Sequence, residues 1–176
     1  MTDKPRARAE ARKLIQEFGI KSPPVPVERI ARSLGVKVEY APFDDELSGM
    51  AFIKNGIPMI GVNSLHHPNR QRFTLAHELA HIQLHRPELE TAVHVDKGSL
   101  RVDQTSLRRD PVSATGTDSA EVEANAFAAE LLMPEAFLST AVGDRKLDLE
   151  DVDVLMPLAK KFRVSLMALQ HRLNND

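Results

Sequence analysis

Phe73-Thr74-Leu75-Ala76-His77-Glu78-Leu79-Ala80-His81 is the stretch from which the rest of the chain is read. It contains His-Glu-x-x-His. Four residues are slightly more than one helical turn, so on a helix His77 and His81 stand one above the other on one face. Such a pair can hold a tetrahedral Zn²⁺, and Glu78, on the flank of the same stripe, can act as general base on a water. At about 100° per residue, Thr74, His77, Glu78, His81 and His85 fall in one sector. Phe73, Leu75, Ala76, Leu79, Ala80, Ile82 and Leu84 fill most of the remainder, with Gln83 as the exception. A surface helix would carry Lys, Glu and Arg on its polar face. A helix whose only polar stripe is His-Glu-His reads as a buried metal-binding element, not as a solvated helix with two incidental histidines.

Composition bounds what this helix belongs to. The 176 residues suffice for one domain with a real core. The expected organisation is one domain over 1–176: an N-terminal helix and connector over 1–26, a catalytic core over 27–146 and C-terminal helices over 147–176. An apolar fraction of 42% and a charged fraction of 27% are those of a soluble globular protein. The net charge of −2 gives no electrostatic reason to expect nucleic acid or an anionic membrane as the main partner. Cysteine is absent, which fits the cytoplasm and leaves His and carboxylate as the zinc ligands. No apolar run approaches the roughly 18 residues of a membrane span. The charged N-terminal segment has no signal-peptide core. A cytoplasmic protein is expected.

Along the chain, Ala7 to Phe18 reads as an amphipathic helix stopped by Gly19, and Lys21 to Pro26 as a proline-fixed connector. Val27, Ile30, Ala31 and Leu34 mark a second helix ended by Gly35. Val36–Tyr40, Leu47–Ile53 and Pro58–Asn63 read as three strands, the last two joined by a hairpin through Asn55-Gly56. That hairpin either offers an edge for substrate backbone or covers the core. Pro68-Asn69 opens the His-Glu helix and Pro87 ends it. Val95 to Thr117 is polar and without period, the length of a lid, a substrate-binding segment or disorder. The fold class expected is α+β, a small three-stranded sheet packed on a helical core with a C-terminal helical pair.

Catalytic zinc takes three protein ligands and keeps one open position. A third His ten residues after the first is excluded, because position 87 is Pro. His85 lies on the right face but one turn further along the same helix, and three ligands on one straight helix cannot surround a metal. It reads as a polar contact to a ligand or at the helix end. The preferred source is a helix from Ser119 to Met133, with Asp118 as N-cap and Pro134 as stop. Glu121, Ala124, Asn125, Ala128 and Leu132 share its inward face, while Glu123, Ala126 and Glu130 fall on the side expected in solvent. Glu121 is then the third ligand, and Asn125 is placed to hydrogen-bond a ligand imidazole. The alternative is a capping box, Asp118-x-x-Glu121, in which Glu121 only satisfies a helix-end amide.

The segments Arg72–His81 and Glu121–Pro134 together resemble the ImmA/IrrE family of metallo-endopeptidases. Leu47-Ser48-Gly49, Ile60–Asn63 and Leu158–Ser165 extend the resemblance over most of 25–173. It implies a thermolysin-like zincin core, with His77, His81 and Glu121 as ligands and Glu78 as general base and acid. It also implies cleavage of a helix-turn-helix transcriptional repressor that controls stress-response or mobile-element genes. Zn²⁺ is the expected metal, with Mn²⁺ compatible with the same His₂Glu set. Sites of this kind use a Tyr or His to steady the anionic oxygen of the substrate. No such residue is obvious, and the candidates are Tyr40, His66, His67 and His94.

Val152 to Leu173 reads as two short helices joined near Arg163-Val164-Ser165, similar to half of a helix-turn-helix. A DNA-binding regulator is thus one rival reading. The mild acidity of the chain and the packing demand of Leu155, Leu158, Phe162, Leu166 and Leu169 argue against it. The other rival is a metal-containing binding protein, an anti-repressor that sequesters its repressor without cutting it.

Overall fold

The computed structural model describes residues 1–97 and 111–175, and of 111–117 the backbone alone. The first helix, α1 (Lys4–Glu17), starts earlier than its apolar period, because Asp3 caps it by accepting from the Arg6 amide and Pro5 suits the first turn. Val27–Ser33 forms α2. Strands β1 (Lys37–Ala41), β2 (Gly49–Lys54) and β3 (Ile57–Asn63) follow. Asn55 and Gly56 both take positive φ, 52° and 75°, as a two-residue hairpin turn of matching twist demands.

The sheet has four strands, not three, in the order β1-β3-β2-β4. The added strand, β4 (His94–Asp96), lies antiparallel to β2, with Gly49 opposite Asp96 and Ala51 opposite His94. Three residues are too few to show strand alternation in a sequence. With β1 parallel to β3 on the far side, the hairpin strands are interior, so the sheet edges are β1 and β4.

The central helix α3 (Pro68–Leu84) packs on β2 and β3 through one side and on α5 (Pro111–Leu132) through another. Every residue from Thr74 to Ile82 is buried, so the helix is an interior element, as its nearly continuous apolar sequence requires. A Cβ on Gly49 would stand 2.5 Å from Thr74 Cγ2 and 2.8 Å from the Gly61 carbonyl oxygen. Only glycine lets β2 approach α3 this closely. Pro87 lies in the first turn of a short helix, α4 (Arg86–Leu89).

Helix α5 begins two turns before the expected Ser119, at Pro111, a residue suited to a first turn. Thr115, Gly116 and Thr117 are weak helix formers, and their propensity is overridden. Of the polar stretch from Val95 to Thr117, its first two residues thus lie in β4 and its last seven in α5. The lid or substrate-segment reading concerns 98–110, which lie outside the described residues.

The far side of α5 is covered by α1. That corrects the solvent-facing assignment of Glu123, Ala126 and Glu130. Ala126 is buried, Glu130 is 1% exposed, and the Glu123 side chain is mostly enclosed. Glu130 pairs with Arg172 of α8 (Leu166–Asn174) at 2.5 Å, and lies 3.5 Å from Arg12 of α1. Between them run α6 (Glu135–Val142) and α7 (Val152–Phe162). In the C-terminal pair Leu155, Leu158, Phe162 and Leu169 are buried and Leu166 packs against them. Among the described residues no helix is long and apolar enough to cross a membrane.

Candidate metal centre

The site lies where α3, α5 and β4 converge. His77 Nε2 and His81 Nε2, one turn apart on α3, are 3.2 Å from each other. Glu121 reaches across from α5, its Oε2 at 3.2 Å from His77 and its Oε1 at 3.1 Å from His81. The four residues His77, His81, His94 and Glu121 each offer one ligand atom, all within 4.8 Å of one another. Three imidazoles and one carboxylate suit a divalent transition metal, so the donor chemistry fits one.

Asn125, one turn beyond Glu121, accepts through Oδ1 from His77 Nδ1 at 2.9 Å. That bond assigns the proton to Nδ1 and leaves the Nε2 lone pair toward Glu121. Ala124 and Ala128 are fully buried, and their small side chains let α5 approach α3. Asp118 lies inside α5, so it is not an N-cap, and the capping-box alternative for Glu121 does not hold.

Glu78 is fully buried. Its Oε2 accepts from His94 Nδ1 at 2.9 Å, while its Oε1 has no hydrogen-bond partner among the described residues. His94 spans the site, because its Nε2 also lies 2.6 Å from Glu121 Oε1 and its ring stacks on His81 at 3.7 Å between centroids. Of the four candidates for a substrate-oxygen donor, only this one reaches the metal-binding group. The Tyr40 hydroxyl donates to Glu28, His66 is engaged with Asn63 and the Asp45 carbonyl, and His67 caps α3. His85 is the C-cap residue of α3, and its Nε2 lies 3.3 Å from Glu123 Oε2, a helix-end contact outside the metal-binding group.

The charges in this enclosure shift one another. Burial pushes the Glu78 carboxyl up, only partly offset by His94 and His77. Burial pulls His81 down to about 4, so it stays neutral with a lone pair at physiological pH. Burial also opposes charge on His94, but its bonds to Glu121 and Glu78 outweigh that and raise it to about 10. His77 is raised as well, since Glu121, Glu78 and Asp96 together exceed its desolvation. Glu121 would be raised by burial, yet the three imidazoles hold it well below the usual carboxylate range. A carboxylate kept ionised beside a neutral imidazole is the state that metal binding requires.

Residues 31–174 match the family model of the IrrE N-terminal-like domain, a peptidase family. The chain belongs to that family. In this IrrE-like chain the match runs from within α2 to the last residue of α8, and so includes every residue of the site. A Mycobacterium tuberculosis transcriptional regulator of known structure shares the fold, with a TM-score of 0.61 at 17% identity. The alignment covers 96% of the IrrE-like chain and 46% of the regulator, so the chain spans about half the length of that protein. No curated protein matches by sequence.

Proposed function

We propose that the chain is a zinc-dependent endopeptidase that cuts a protein substrate, a helix-turn-helix transcriptional repressor. The observation that carries the chemistry is the convergence of His77, His81 and Glu121 beside Glu78, a buried carboxylate with one unpartnered oxygen. Membership of a peptidase family supports the hydrolytic reading. The repressor as substrate is supported by the resemblance of the two central motifs, and the fold shared with a regulator is in keeping with it.

In this reading His77, His81 and Glu121 hold the metal, with Zn²⁺ preferred over Mn²⁺. When bound, the ion supplies Lewis acidity to the attacking water and to the scissile carbonyl. The protein's own groups do the rest. Asn125 keeps the lone pair of His77 Nε2 directed inward. Glu78 takes the proton of the attacking water at the oxygen that no neighbour occupies, and later delivers it to the leaving amine. Enclosure aids the second transfer, because burial favours the protonated carboxyl. His94, fixed by Glu78 through Nδ1, presents an N–H toward the carbonyl oxygen as it becomes anionic.

The test uses purified protein with the co-expressed repressor as substrate. Metal content of about one ion per chain, the expectation for a single catalytic site, should fall sharply in Glu121→Ala. Cleavage should be lost in Glu78→Gln while the metal is kept. Relief of repression that survives Glu78→Gln would replace proteolysis by sequestration.

A further inference from the structure

The outer face of the sheet takes no part in the site. Strand alternation divides β2 into two sets. Gly49, Ala51 and Ile53 turn toward α3, as the contact of Gly49 with Thr74 shows, and Ala51 is fully buried. Met50 and Phe52 therefore face away. Their cross-strand neighbours continue this face, with Met50 opposite Val95 and Gly61, and Phe52 opposite Met59. The Phe43 ring lies over Gly61, 3.2 Å from where a Cβ would stand. None of these apolar side chains belongs to the buried core or packs against it, and Val95 is 42% exposed. The helices that contact the sheet, α2, α3 and α4, bring their buried side chains to the core on the opposite face. A contiguous exposed apolar surface of this kind marks an interaction site.

Two observations say what covers it. The chain enters this face through Asp44-Asp45-Glu46, all exposed. The buried Asn63 fixes that turn, donating to the carbonyls of Phe43, Asp44 and Leu47 at 3.4, 3.2 and 2.8 Å and accepting from the Phe43 amide at 3.3 Å. An acidic edge is thus held beside an aromatic and methionine-rich surface, and methionine adapts to apolar partners of varied shape. The face is also continuous with the site. On β4, His94 turns inward to Glu78 and Glu121, and the next residue, Val95, turns outward beside Met50.

We infer that this face docks a basic amphipathic segment of the protein substrate. Its apolar side chains lie on Met50, Phe52, Met59 and Val95, and its Lys or Arg residues lie near Asp44 and Asp45. The inference rests on the endopeptidase reading, since a DNA-binding substrate carries the basic surface that an acidic edge attracts.

The test is fluorescence anisotropy on the full chain carrying Glu78→Gln, so that a peptide can be held and not cut. The probe is a designed helical peptide with leucines along one face and lysines along the other. Saturable binding is expected, weakened about tenfold by Phe52→Ser, as for a central apolar contact. Asp44→Lys/Asp45→Lys should weaken it about threefold and should strengthen binding of the peptide with glutamates in place of the lysines. Unchanged melting of the charge-reversed protein would show that its fold is intact. No binding, or equal binding by wild type and variants, overturns the inference. So does a chain dimer that Phe52→Ser dissociates in sedimentation, because the occupant is then a second copy. Undiminished repressor cleavage by the charge-reversed protein would remove the docking face and leave the endopeptidase reading intact. Peptide binding to a chain that never cleaves would do the reverse.

Discussion

Helices α3 and α5 deliver the site in opposite ways. On α3 the geometry is local: His77 and His81 meet because the helix repeats, and no other part of the chain is needed to align them. On α5 nothing local marks Glu121 as a ligand residue. It meets the imidazoles because α5 is clamped along α3 from one side and α1 from the other, and because Arg172 anchors the same helix through the buried Glu130. One helix carries its chemistry in its period. The other carries it in its contacts, and the two should fail differently when perturbed.

The largest effect should fall on α3 chemistry with structure untouched. Glu78→Gln should lower kcat for repressor cleavage by about 10²–10⁴, the contribution of a positioned acid–base group, with metal content and melting unchanged. A comparable loss of metal would make Glu78 a structural member of the group. The next effect tests the dependence of α5 on distant contacts. Arg172→Ala leaves the Glu130 carboxylate buried with its partner removed, which costs about 3–5 kcal/mol. Urea denaturation should show this loss, and metal affinity should weaken alongside it although Arg172 is remote from the site. Undiminished metal binding would show that α5 holds Glu121 in place without its anchor.

Asn125→Ala should weaken metal affinity by about 10–100-fold, the usual cost of losing a partner that orients a ligand imidazole, as read by competition with a chelator. Smallest is a test of the α3–β2 contact. Gly49→Ala forces a methyl group against Thr74 and the Gly61 carbonyl, and should destabilise by about 1–3 kcal/mol, as overpacking does. Its effect on cleavage should exceed that on metal content, because the displaced side of α3 carries Glu78 and not the metal-facing nitrogens.

The same contrast explains which parts of the fold were legible. The hairpin at Asn55-Gly56, the burial of α3 and the inward face of α5 follow from turn chemistry and apolar spacing. The placement of Glu130 in solvent failed because a helical wheel supplies only one helix. The charge pattern of α5 does not reveal that α1 covers its outer side or that Arg172, 42 residues later, neutralises the carboxylate. The start of α5 was hidden by residues of weak propensity, and β4 by its brevity. His94 was one of four candidates of equal standing until β4 paired with β2 and carried it to Glu78 and Glu121.

The sequence by itself determined the spacing of His77, Glu78 and His81, the face on which Glu121 and Asn125 lie, and the donor chemistry available to a chain without cysteine. These depend on helical period and residue type, which are properties of short segments. Only the tertiary structure decided that Glu121 and His94 share one enclosure with the two imidazoles, that Glu130 is buried in an ion pair, and that one face of the sheet is left apolar and open. Those depend on which surfaces exclude water from one another, and that is fixed by contacts between residues far apart in the chain.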